Sequence, residues 1–206
     1  MDLEEFKKEF VCGELQISES YGKVFSFIDF ANVNRWFEND EQDWNNKLLI
    51  GENLVIDLQK LKIFADLFSE RARIYYGEDP RNEKSLGFTY ATRKIFGKRD
   101  ALTKDIQKIK RCVLEENKYV EIRKCNFDVE ISVDATRMIE HFDTFCIFSG
   151  HADFVYLNNY LRKKGKKIII IKGGYITAKL RESADLVINA QNIKKHITKI
   201  IKQKPD

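Results

Sequence analysis

A chain of 206 residues with 43% hydrophobic and 33% charged residues can bury one sizeable core, which excludes a disordered or membrane-embedded polypeptide. Two prolines and ten glycines argue against linkers and repeats, and a net charge of +4 is compatible with nucleic acid without selecting it. The opening MDLEEFKKEF lacks the apolar segment of a secretory signal, and no apolar run approaches the ~20 residues of a membrane span, so a soluble cytoplasmic protein with no membrane partner is expected.

Residues 1–20 are polar and mixed in charge, a short helix or arm that adds little to the core, and residues 21–206 read as one domain. Val24 to Ile28 is a β-prone apolar run that stops at Asp29, with Asn32 three residues on. That pattern fits a first buried strand delivering polar groups to the carboxyl edge of a sheet, and equally a cap for the following turn or helix. Between residues 34 and 51, Trp36 and Trp44 sit among acids and amides, as in a lid or a packed loop over the strand's exit. Leu61, Phe64, Ala65 and Phe68 carry the helical period, entered at Asp57. Residues 73–76 read as a second strand, Asp79-Pro80 as a turn, and 84–96 as a helix ending near Gly97.

Residues 101–111 allow a helix by propensity, but the α/β alternation favours an extended segment. The next helix spans 128–141, with Ile131, Ala135, Met138 and Phe142 on its buried face and Val129 and Val133 widening it. Residues 145–148 form a buried strand ending in Ser149-Gly150. Asp153 opens a helix that turns Phe154, Leu157 and Leu161 inward and stops at Gly165. Four consecutive isoleucines, 168–171, mark a central parallel strand covered on both faces. Residues 186–188 form the last strand, and Ile193, Ile197, Ile200 and Ile201 a closing amphipathic helix. The predicted class is therefore α/β, a Rossmann-like three-layer α/β/α sandwich with a mostly parallel sheet.

Cys12, Cys112, Cys125 and Cys146 show no ligand spacing and read as reduced packing residues. Two basic clusters, Arg162 to Lys167 and Lys194 to Lys204, are either solvated faces or phosphate contacts. Three acids, Asp29, Asp128 and Asp153, stand at strand ends or helix starts and so share the carboxyl edge. Two carboxylates about 5 Å apart at an effective dielectric of about 20 repel by about 3 kcal/mol, so a cluster needs a proton, a basic partner or a cation, for which Mg²⁺ or Mn²⁺ is the economical choice. The plain alternative is that Asp128 and Asp153 are ordinary N-caps.

FIDFANVN, KCNFDVEISVD from Lys124, IFSGHADF from Ile147, and KKIIII followed by TAKLRESADLVI from Thr177 occur in the order and spacing of an NYN domain. The chain from about residue 23 to 190 resembles the LabA/DUF88 group of that domain, within the PIN-like nuclease superfamily. The resemblance implies a metal-dependent ribonuclease with Mg²⁺ or Mn²⁺ in an acidic cleft and RNA, single-stranded or structured, as partner. A homodimer or a protein partner stands open beside it. Asp29, Asp128 and Asp153 correspond to the family's catalytic and metal-binding acids. Asp134 corresponds to a further metal acid, although it lies about 240° round an ideal helix from Asp128, and a structural hydrogen bond serves it as well. The pattern departs at His151, where the family carries an aspartate. Imidazole is a weaker Mg²⁺ ligand, acceptable to Mn²⁺ or Zn²⁺, and can shuttle a proton or bind phosphate.

The candidate catalytic set is thus Asp29, Asp128, Asp153 and His151. The candidate substrate contacts are Asn32, Ser149, Lys163, Lys164 and Lys166, with Trp36 or Trp44 stacking bases. The alternative function is a catalytically weakened NYN-type module that binds RNA or protein. A nucleotide-binding regulator is disfavoured by the lack of GxGxxG or a P-loop.

Overall fold

The computed structural model describes residues 9–113 and 118–202, without the side chains of 109–123; Lys204 and the Cys112 side chain therefore lie outside the described residues. In chain order the elements are β1 (Val24–Asp29), a single turn α1 (Phe30–Val33), β2 (Glu52–Ile56), α2 (Leu58–Asp66), β3 (Arg71–Glu78), α3 (Glu83–Phe96), β4 (Ala101–Asp105), β5 (Gln107–Val113), β6 (Lys118–Lys124) and α4 (Asp128–Arg137). They continue with β7 (Thr144–Phe148), α5 (Phe154–Lys163), β8 (Lys167–Lys172), α6 (Ala178–Glu182), β9 (Leu186–Asn189), α7 (Ala190–Ile197) and β10 (Thr198–Lys202).

Six strands form a sheet in the order β4-β3-β1-β7-β8-β9, and every pairing in it is parallel. β1 and β7 are buried at every position, as strands covered on both faces must be, and the side chains alternate between two cores. Val24, Ile28, Ile74, Phe148, Ile169 and Ile171 face α2, α3 and α7. Phe25, Phe27, Tyr75, Phe145, Ile147, Ile168 and Ile170 face α4, α5 and α6. The chain winds outward from β1 to β4 on one side, then restarts at β7 on the other. That reversal puts a switch point between β1 and β7, where crevices form in open α/β sheets. The α/β sandwich expected from the sequence is present.

Several helix signals act as read. Asp57 caps α2, accepting the amides of Gln59 and Lys60 at 3.0 and 3.1 Å. Gly165, at φ 79°, follows α5. The extended reading of residues 101–111 is met by β4 and β5.

Other expectations need correction. Phe10, Val11, Leu15 and Ile17 are buried in the α7 side of the core, so the segment before β1 contributes to packing rather than standing off as an arm. Val129 is 73% exposed and Val133 48%, so the buried face of α4 is only the Ile131–Ala135 side. Ile200 and Ile201 are not on a helix: α7 stops at Ile197, and β10 pairs antiparallel with β2 in a ribbon outside the main sheet. A second ribbon, β5 with β6, leads into α4.

The Phe10 ring packs against His196 of α7, centroids 4.8 Å apart. Burial, with Lys195 adding, lowers the His196 pKa from 6.5. A base whose folded pKa is depressed contributes stability that is present above its unfolded value and lost as pH falls through about 6.5 toward the folded value. Wild type is therefore expected to lose thermal midpoint between about pH 7 and pH 5.5 relative to His196→Gln, measured by circular dichroism. Parallel pH profiles for the two proteins would remove this assignment.

Candidate functional site

Asp29 ends β1 at the switch point with 8% of its surface exposed. The adjoining strand delivers its partner: Ser149, the residue after β7, donates through Oγ to Asp29 Oδ2 at 3.0 Å and accepts the His151 amide at 3.2 Å. Burial raises the Asp29 carboxyl above its ordinary range, Ser149 opposes the rise, and the charge of Asp128 adds to it. The strand end and the Ser149 donor thus hold a carboxylate where ionisation is expensive.

Asn32, one turn on, uses its side-chain oxygen twice, accepting Trp36 Nε1 at 2.9 Å and the Gly150 amide at 3.2 Å. Trp36 in turn lies parallel to Phe148, ring planes 8° apart, and presses on Gly173, where any Cβ would fall 2.5 Å from the indole. This belt fastens the β1, β7 and β8 exits to one another.

Asp128 opens α4, and Asn126 clasps it at both ends: Asn126 Nδ2 donates to Asp128 Oδ2, and the Asp128 amide donates to Asn126 Oδ1, each at 2.8 Å. His151 Nδ1 stands 3.0 Å from Asp128 Oδ2 and 3.5 Å from Asp153 Oδ2. Asp128, His151 and Asp153 each offer a donor atom within 4.8 Å of the others, so together they can hold a metal ion. A cleft of roughly 690 Å³ opens over Asp29, Asn32, Asp128 and His151, walled by Arg35, Trp36, Lys124 and Gly173. Asp153, with a side chain 68% exposed, stands at the acidic group's solvent side.

Asp134 is not in the acidic group. Its Oδ2 accepts Arg73 Nη1 at 2.7 Å and the Tyr75 hydroxyl at 2.8 Å, the structural role that its place on the helix allowed. Ser149 is 1% exposed, with its hydroxyl committed to Asp29. Asn32 lines the cleft with its side-chain oxygen engaged by the belt. Lys163, Lys164 and Lys166 do not line the cleft. α5 starts at the carboxyl edge and its 10 residues carry the chain about 15 Å to the opposite edge, where Lys166 Nζ donates to the Phe142 carbonyl at 2.8 Å.

Of the tryptophans, Trp36 is packed into the belt and Trp44 sits under Lys60, 5.7 Å from its ring centroid. The second basic cluster is largely paired, Lys194 with Asp40 at 2.6 Å, Lys199 with Asp57 at 3.2 Å and Lys202 with Glu52 at 3.6 Å. The cations that do wall the cleft, Arg35 and Lys124, escaped the sequence reading because neither lies in a basic run; their only signal is proximity to FANVN and to NFD.

The site thus joins a buried aspartate and an acidic group at the switch point of a parallel α/β sandwich. The chain belongs to the NYN domain family, which it matches over residues 23–191. It is 28% identical over 167 residues to the low amplitude and bright protein LabA of Synechococcus elongatus (strain ATCC 33912 / PCC 7942 / FACHB-805), an alignment covering 75% of this chain and 88% of that protein. Among solved structures, a protein of unknown function from Vibrio parahaemolyticus RIMD 2210633 shares the fold with a TM-score of 0.61 at 17% identity, over 88% of this chain and 99% of that one. No described helix is long and apolar enough to cross a membrane.

Proposed function

We propose that this protein is a metal-dependent ribonuclease that hydrolyses RNA phosphodiester bonds in the cleft at the β1/β7 switch point. The observation that carries the reading is the convergence of Asp128, His151 and Asp153 beside the buried Asp29. The donor set fits a divalent cation: two carboxylates and one imidazole nitrogen suit Mn²⁺ somewhat better than Mg²⁺. The chemistry such a cation supplies when bound is Lewis-acid polarisation of a phosphate oxygen and of an attacking water.

The chain's own groups do the rest. Asp128, oriented by Asn126, and Asp153 provide the oxygen donors, and His151 the nitrogen. Asp29 holds a fixed negative charge on the inner wall, kept in place by Ser149. Arg35 and Lys124, both in the cleft lining, bind backbone phosphates. No serine or cysteine nucleophile is required, which accords with burial raising the Cys125 and Cys146 thiols above their ordinary range.

One observation favours a second reading, a binding module without catalysis. His151 Nδ1 lies between Asp128 and Asp153, so a protonated imidazole would satisfy both acids from within the chain. The two readings separate when purified protein meets single-stranded and structured RNA with either ion. The nuclease reading expects cleavage, stronger in Mn²⁺ than in Mg²⁺, and His151→Asp is expected to reverse that preference by restoring an all-oxygen donor set. RNA that stays intact with both ions, where a control nuclease cuts, would leave the binding module.

A further inference from the structure

The fold leaves one side of α5 unexplained. Phe154, Leu157, Asn158 and Leu161 anchor the helix to the sheet. On its outer side Asp153, Tyr156, Tyr160 and Lys164 recur at i, i+3, i+7 and i+11, one continuous row. Tyr156 is 86% exposed and Tyr160 36%, so neither ring completes the core. The row begins at Asp153, within the acidic group, and runs about 15 Å to Lys164, whose Nζ lies 5.9 Å from the Tyr160 ring centroid.

We propose that this row is a track for an unpaired RNA strand leaving the cleft, with bases stacking on Tyr156 and Tyr160 and phosphates meeting Lys163 and Lys164; it rests on the nuclease reading for its origin at the cleft. Two features select that occupant over a protein partner. The row is continuous with the acidic site, and it ends in cations that complement a phosphate backbone. The tyrosines also set the substrate class. A ring on a helix surface can stack on an unpaired base, whereas bases inside a duplex already stack on each other. The lysines that do not line the cleft thereby acquire a place farther along the same strand.

The test uses the full chain with fluorescein-labelled uridine-rich single-stranded RNA and a blunt RNA duplex, binding being read by anisotropy in EDTA and cleavage separately in Mn²⁺. Tyr156→Ala with Tyr160→Ala is expected to weaken single-strand binding roughly tenfold or more, from the loss of base–aromatic stacking, while duplex binding stays unchanged. Tyr156→Phe with Tyr160→Phe is expected to retain wild-type binding, since the ring and not the hydroxyl does the work. Failure of the nuclease reading is separable: intact RNA in every metal, with tyrosine-dependent single-strand binding preserved, removes catalysis and keeps the track. The track is overturned by alanine variants that bind both RNAs as wild type does, by wild type that binds no single strand, or by sedimentation showing that the alanine changes dissolve a homodimer without altering RNA binding.

Discussion

Asp29→Asn is expected to slow RNA cleavage roughly 10²- to 10³-fold, the several kcal/mol that charge around a hydrolytic cation contributes, while raising the thermal midpoint by a few degrees. The two effects share one cause. Asp29 is buried, has Ser149 as its side-chain donor and faces the charge of Asp128. Its folded pKa is raised above the unfolded 3.8, so its favourable contribution is complete only below that value and is lost as pH rises through the folded pKa. At neutral pH an ionised Asp29 therefore opposes folding, and an uncharged isostere relieves that cost. Single-turnover cleavage in Mn²⁺ and thermal melts in EDTA on the same preparations check both halves. Wild-type cleavage by Asp29→Asn would place the chemistry elsewhere; a lowered midpoint would mean that Asp29 is a structural cap.

Asp134→Ala is expected to do the opposite, costing about 3 kcal/mol of stability and leaving cleavage per folded molecule unchanged. Arg73 and Tyr75 both spend their shortest side-chain bonds on Asp134, with the Asp134 side chain only 17% exposed and Tyr75 fully buried. Burial holds the Tyr75 phenol well above its ordinary range, so it remains a donor and would be stranded without its acceptor. Arg73 would keep Asp100 at 3.3 Å, which limits the loss. Urea unfolding gives the stability term, and a cleavage assay at matched folded fraction gives the other. Undiminished stability with abolished cleavage would return Asp134 to the metal site that the family resemblance implied.

These two aspartates show how far a sequence can be read and where it stops. Asp29 was legible because a parallel strand buried on both faces appears as an unbroken apolar run, and a carboxylate that ends such a run lies on the ligand-binding edge. The same reasoning recovered Ser149 and Asp153 at the ends of neighbouring elements. Asp134 was ambiguous because its partners, Arg73 and Tyr75, lie some 60 positions away, and no local pattern records that pairing. Ile200 and Ile201 deceived for a related reason. They extend the helical spacing of Ile193 and Ile197, and only β2, far back in the chain, makes them a strand. The lysines of α5 read as substrate contacts from their charge run, whereas the direction of the helix carries them to the other edge of the sheet.

The β2–β10 ribbon makes the cleft depend on residues well outside it. It stands apart from the six-stranded sheet, with β10 exposed after its first residue and β2 seated on the core by Leu54 and Ile56. α7 runs straight into β10, and its Gln191 and Lys194 both hold Asp40, a residue of the cleft wall, at 3.0 and 2.6 Å. The wall is therefore tied through α7 to the ribbon, whose Leu54 and Ile56 share a buried core with Val24 and Ile28 of the strand that ends in Asp29. A substitution that unpairs β10 from β2 therefore reaches Asp40 in the cleft wall through α7.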